Sequence, residues 1–225
     1  MQKKYSIEFV EAKKPISECV TKFGGQPNWI SKPEWPVSKA ANEPMRFIGQ
    51  IALDAEIVGH TSAKMAYLFM TDDPDVDGTW EPDGGENALI IQPGQNEART
   101  EPLTKGPTLF KMEKRFFGAV NLPKTLEYEV RLIPGEDPEW ITEDDRTRLT
   151  EEKFAAYNET LTGNKLGGTP GFLQADEFPE GDGWRLVLQL DSTRTPFWVN
   201  FGDAGVGYAF ISQDGTRGKF LWQCA

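Results

Sequence analysis

Short apolar and alternating stretches, separated by Gly- and Pro-rich segments, dominate the chain. Arg46–Ile51, Ala66–Thr71 and Leu89–Gln92 are too short for helices and rich in Ile, Leu, Phe and Tyr, which predicts strands. Arg185–Leu190, Gly207–Ser212 and Phe220–Gln223 read the same way. Thr125–Leu132 alternates cleanly, with Leu126, Tyr128, Val130 and Leu132 on one side, and predicts a further strand. Met1–Val10 also alternates after Lys3 and Lys4, and no apolar core of a signal peptide follows. Helical spacing shows at Pro15–Lys22, where Ile16, Cys19 and Val20 share a face. It shows again at Thr142–Leu161, where Phe154, Tyr157 and Leu161 share a face and Thr142 with Asp145 resembles a cap.

These stretches recur in order. Phe23-Gly-Gly-Gln-Pro-Asn-Trp-Ile30, running to Glu34-Trp-Pro36, aligns without a gap with Leu166-Gly-Gly-Thr-Pro-Gly-Phe-Leu173, running to Glu177-Phe-Pro179. Arg46–Ile51 then matches Arg185–Leu190, Ala66–Thr71 matches Gly207–Ser212, and Leu89–Gln92 matches Phe220–Gln223. A repeat of this kind predicts two copies of one unit. Gly-Gly-x-Pro excludes helix and central strand and reads as a tight loop with aromatic anchors. Asp214-Gly215 predicts a hairpin between the last two strands. The first copy carries the same hairpin with its loop expanded between Thr71 and Ala88. The expected fold is α+β: a mainly antiparallel sheet with a few helices, internally duplicated with pseudo-two-fold symmetry. A single domain spans 1–225, with a first repeat at about 15–93, a polar linker (Gly94–Pro107) and extra strand within about 94–141, and a second repeat at about 142–225.

Composition narrows the partners. The net charge is −11 and the pI about 4.7, which opposes binding to phosphate backbones and to anionic membrane surfaces. No window is apolar enough to span a membrane, so the expectation is a cytoplasmic chain, and the duplication favours a monomer. Cys19 and Cys224 lie far apart in sequence with no CxxC spacing and are expected as reduced, mostly buried thiols.

The motifs GGxPxWI…WP, PMRFIGQI, LGGTPGFLQ, WRLVLQLDS, FGDAGVGYAFI and LWQC resemble the YwqG-like family, a bacterial family of unknown function, from about Phe23 to Cys224. The resemblance implies an α/β fold with internal duplication and supplies no catalytic residues. It also implies a link to toxin–immunity loci, where some relatives sit.

The expanded loop carries the densest chemistry. Asp72, Asp73, Asp75, Asp77, Glu81, Asp83 and Glu86 fall within it with no basic residue between them. Asp73-x-Asp75-x-Asp77-Gly78 opens like a calcium loop, with carboxylates at every second position and Gly for the turn. Position twelve is Gly84 rather than Glu, so it is not an EF-hand. The loop is read either as a calcium site at Asp73, Asp75 and Asp77 or as a solvated, partner-facing acidic surface. Arg46 with Gln50, and Arg185 with Gln189, are each four apart along a strand, which predicts one face and a ligand cleft across the pseudo-axis. The competing reading is that each Gln satisfies backbone groups of its Gly-Gly loop. Asp203 reads as a turn residue, and His60, the only histidine, as exposed.

P-loop, G-x-G-x-x-G, G-x-S-x-G and H-E-x-x-H patterns are all missing, so no catalytic residue is assigned. The leading expectation is a non-enzymatic interaction domain, of an immunity type that masks a basic toxin or nuclease partner through the acidic loop. The alternatives are a small-ligand or calcium-binding module, and an enzyme using an unrecognised carboxylate site.

Overall fold

The structure is a computed structural model that describes residues 1–94, 106–114, 121–181 and 183–225. In chain order the strands are β1 (Gln2–Glu11), β2 (Lys22–Gly24), β3 (Arg46–Ala52), β4 (Ala63–Met70), β5 (Asn87–Pro93), β6 (Phe110–Lys114), β7 (Asn121–Thr125), β8 (Glu127–Asp137), β9 (Lys165–Gly167), β10 (Arg185–Asp191), β11 (Val206–Ile211) and β12 (Gly218–Gln223). The helices are α1 (Ala55–Val58), α2 (Glu143–Arg146) and α3 (Glu151–Thr160). Most of the expected linker, residues 95–105, lies outside the described residues.

Ten strands form one antiparallel sheet in the order β12-β11-β10-β9-β1-β8-β2-β3-β4-β5, and β6 and β7 pair separately. The end strands β5 and β12 meet so closely that a Cβ at Gly218 would collide with the Leu89 carbonyl. The expected α+β fold with two symmetry-related halves is therefore corrected. The chain forms a nearly closed ten-stranded barrel, with 38% of the described residues in strands and 10% in helices, and the short helices described build no layer of their own. Even the longest, α3, buries none of its residues. No helix among the described residues is long and apolar enough to cross a membrane.

The repeated strand blocks sit where the periodicity put them, in β3, β4 and β5 and in β10, β11 and β12. Aliphatic and aromatic side chains fill three clusters. The barrel interior holds Ile7, Phe23, Leu68, Leu166, Leu188, Phe197 and Phe220 among others. On the outer face of β3–β5, Trp29 and Trp35 pack over Phe47, Tyr67 and Phe69. On the outer face of β10–β12, Phe172 and Trp184 cover Tyr208 and Phe210. Both Gly-Gly loops have positive φ at consecutive glycines: 73° and 64° at Gly24 and Gly25, 67° and 77° at Gly167 and Gly168. Side chains are disfavoured there by L-residue sterics, and a Cβ at Gly24 would strike the Leu126 carbonyl.

Two local expectations differ. No helix forms at Pro15–Lys22. Its carbonyls are captured instead: Ile16 O accepts from Lys22 Nζ at 3.1 Å and Asn28 Nδ2 at 2.9 Å, and Val20 O accepts from Gln50 Nε2 at 2.8 Å. The helix expected over Thr142–Leu161 is broken into α2 and α3, and Thr150 caps the second piece. The cap at Thr142 does form, with Asp145 N donating to Thr142 Oγ1 at 3.2 Å. Finally, the alternation of Met1–Val10 is that of a strand: β1 pairs with β8 along its whole length, from Gln2 opposite Asp137 to Glu11 opposite Tyr128.

Candidate functional site

The four residues expected to line one cleft are kept apart by a bulge in each strand. Register shifts between Phe47 and Gly49 in β3, and between Leu186 and Leu188 in β10. One extra residue reverses which face the following side chains take. Arg46 stands opposite Met70, an interior residue, while Gln50 stands opposite Tyr67 on the outer face. Arg185 and Gln189 are split the same way, opposite Ile211 and Tyr208. The Gly-Gly loops are also distant. Gly24 pairs with Glu127, whereas Gly167 pairs with Lys4, which lies opposite Gly135. At ~3.3 Å per residue along β8, these points are roughly 26 Å apart.

Each glutamine serves its own loop. Gln50 Oε1 accepts from Asn28 N at 2.8 Å, and Gln189 Oε1 accepts from Gly171 N at 2.9 Å. Their amide groups donate to Val20 O and to Leu161 O, both at 2.8 Å. Arg46 is paired with Asp72 and lies against the rings of Phe110 and Trp198. Burial lowers its pKa to about 10. Arg185 instead donates to Val58 O at 2.6 Å.

The acidic loop is anchored at both ends. Asp72 holds Arg46, Asp83 holds Lys219, and Glu86 is buried. The Glu86 carboxylate accepts from Ser38 Oγ at 2.6 Å, Thr71 Oγ1 at 2.8 Å and Ala40 N at 2.8 Å. Burial alone would raise its pKa, but these donors outweigh it and the net shift is downward. Asp73, Asp75, Asp77 and Glu81 are exposed. Asp73 Oδ1 accepts from Asp75 N at 2.9 Å, an Asx turn. Among the described residues no three His, Cys, Asp or Glu side chains converge as metal ligands. Asp203 and His60 are exposed. Cys19 and Cys224 are free and half-buried rather than buried.

A cleft larger than the concavity at Arg46 and Asp72 lies elsewhere, where β2 begins. Before Lys22 the chain lies outside the sheet, and Thr21 Oγ1 takes the Ala52 amide at 3.0 Å in place of a strand partner. Between β8 and the end of β3 this leaves a cleft of about 1020 Å³. Its floor is Tyr5, Leu166, Val130 and Leu132, and Ile57 of α1 forms a wall. That wall is held from two sides. Lys3 Nζ donates to Glu56 Oε1 at 2.8 Å and Tyr5 OH to Glu56 Oε2 at 2.9 Å, while Arg185 grips Val58 from β10. Asp54 caps the helix, accepting from Glu56 N at 2.8 Å. The polar lining comprises Glu11, Glu18, Asp54 and Glu129 against Lys13 and Lys14. The arrangement suits binding: an apolar floor fixed by the barrel, with acids exceeding bases at the rim.

A model of a domain of unknown function matches residues 21–220. The chain belongs to this family, DUF1963. No curated protein matches the chain. The DUF1963 match begins at Thr21, so β1, with the Tyr5 that floors the cleft, lies before it. Of the cleft residues, Leu166 opens the LGGTPGFLQ motif, which read as a loop and not as a binding site. The one signal available was the alternation of β8, which already put Val130 and Leu132 on the side of Tyr128.

Proposed function

We propose that this protein is a non-enzymatic interaction domain that receives a basic protein segment in the cleft beside β8. The observation that supports the reading is the cleft: about 1020 Å³, apolar at its floor, with four acidic and two basic residues in its lining. The net charge of −11 acts in the same direction over longer range, speeding encounter with a cationic partner. The specific form of the proposal is an immunity-type role, in line with the YwqG-like resemblance, in which the bound segment belongs to a basic toxin or nuclease. The acidic loop contributes through its exposed Asp73, Asp75, Asp77 and Glu81, as long-range attraction rather than as the seat of the ligand.

The test is a pull-down from host extract with the wild type and with Leu132→Lys, eluted by a salt gradient. Leu132 is 36% exposed, so the substitution is tolerated by the fold and places a positive charge in the cleft. A basic partner on the wild type, released steeply by salt and missing from the variant, supports the reading. The same partners on both proteins would place the contact elsewhere.

A further inference from the structure

The cleft borders an unpaired strand edge. Strand β8 is paired with β1 from Tyr128 to Asp137, but with β2 only from Glu127 to Glu129. Past Glu129 the edge away from β1 has no strand partner among the described residues. The hydrogen-bonding phase of that edge follows from its neighbours. Ile7 donates its amide to Asn164 O, on the side of β1 away from β8. Its cross-strand mate is Leu132, so the two form a non-hydrogen-bonded pair and Leu132 turns its N–H and C=O away from β1, toward the open edge. Leu126, of the same phase, accepts there from Gly25 N at 2.8 Å. Pro134 is also of this phase. A proline inside a strand is tolerated where its missing N–H would face an unpaired edge.

The corresponding edge of β1 is covered. There Asn164 O takes the Ile7 amide, and the Asn164 side chain donates to Arg194 O at 2.9 Å and accepts from Asp191 N at 2.7 Å. Among the described residues nothing equivalent covers β8, and Leu132 and Ile133 remain 36% and 42% exposed.

Resting on the proposed role of the cleft, we infer that its ligand enters as an added β-strand: an extended polypeptide segment that pairs with β8 at Leu132. The edge offers the N–H and C=O of Val130 and Leu132 and the Pro134 carbonyl, and Pro134 ends the donor row, so the pairing is short. Strand addition takes affinity from main-chain bonds and selectivity from alternate side chains. One set of side chains faces the apolar floor at Tyr5, Val130 and Leu166. The other faces Glu129, with Glu18 beside outer-face Gln50, so the recognised segment alternates small apolar residues with Lys or Arg.

The probe is a phage-displayed library of random nine-residue peptides, panned on the full chain. Enriched peptides are expected to alternate apolar and basic residues and to slow exchange of the Leu132 amide at least tenfold. Leu132→Pro removes the outward donor at the centre of the pairing while leaving the β1 ladder intact, and is expected to weaken them at least tenfold. N-methylation of a selected peptide at the residue facing Leu132 makes the same test without altering the protein. Peptides that lose binding on Leu132→Lys, yet tolerate N-methylation and leave the Leu132 amide unprotected, overturn strand pairing and leave the cleft as a binding site. No enrichment over background overturns both.

Discussion

Lys165 Nζ lies 2.6 Å from Asp137 Oδ2 with both side chains sealed from solvent, at 1% and 0% exposure. Lys165 also donates to Leu161 O at 2.9 Å and Thr169 O at 2.6 Å, so its ammonium is fully used. Asp137 in turn accepts from Lys4 and from Thr169 N. Burial, opposed by the Asp137 carboxylate, brings the Lys165 pKa down to about 8. The pair fastens the second Gly-Gly loop to the end of β8. Lys22 with Glu127, at 2.6 Å, fastens the first to its beginning.

Removing one partner of a buried pair leaves the other charge stranded. Lys165→Met leaves Asp137 with Lys4 as its counter-charge and the Leu161 and Thr169 carbonyls without their donor, and is expected to cost about 3 kcal/mol in urea denaturation. Lys22→Met is expected to cost less, because Glu127 keeps 14% exposure and can rehydrate. Equal losses would contradict the burial difference.

Tyr67 ties the Trp29 loop to the outer face of the sheet. Its hydroxyl donates to Asn28 O and accepts from Ile30 N, both at 2.9 Å. Tyr67→Phe leaves the ring packing intact and both backbone groups unpaired, at a cost of about 1–3 kcal/mol. The thermal midpoint and denaturant midpoint should fall together, and an unchanged midpoint would show that water replaces the hydroxyl freely.

Asp214 sits at the turn between β11 and β12. Its carboxylate accepts from Ser212 Oγ first, then from Thr216 N and Oγ1, and its pKa is held down to about 2. A depressed carboxylate stabilises the fold above its unfolded pKa near 3.8, and that contribution is lost as pH falls through about 2. Asp214→Asn should therefore flatten the stability profile between pH 4 and pH 2 (roughly those two pKa values). A profile as steep as that of the wild type would contradict this.

Asp73 spends an oxygen on the Asp75 amide, and the acids of this loop do not converge. Calcium at about 1 mM, near the weak end of protein sites, is expected to leave the thermal midpoint unchanged. A rise that Asp75→Asn abolishes would establish a cation site there.

The strands of the two repeated blocks were legible because alternation and β-branched content survive in short runs such as Arg46–Ile51 and Gly207–Ser212. Legibility stopped where one residue changes the outcome. Nothing in Phe47-Ile48-Gly49 announces the bulge that turns Arg46 and Gln50 to opposite faces. The helical spacing of Ile16, Cys19 and Val20 was real, but Lys22, Asn28 and Gln50 take the carbonyls a helix would need. The cleft was illegible for a similar reason: it exists because β2 starts only at Lys22, opposite Glu129, while β8 continues to Asp137, a difference in pairing length that periodicity does not encode.

The central claim is that the cleft at the edge of β8 is where a basic segment binds. The most direct test is a crystal structure of the full chain with a library-selected peptide. The account predicts an extended segment lying against Leu132, between β8 and α1. A peptide seated instead on the acidic loop at Asp73–Glu81 would contradict it.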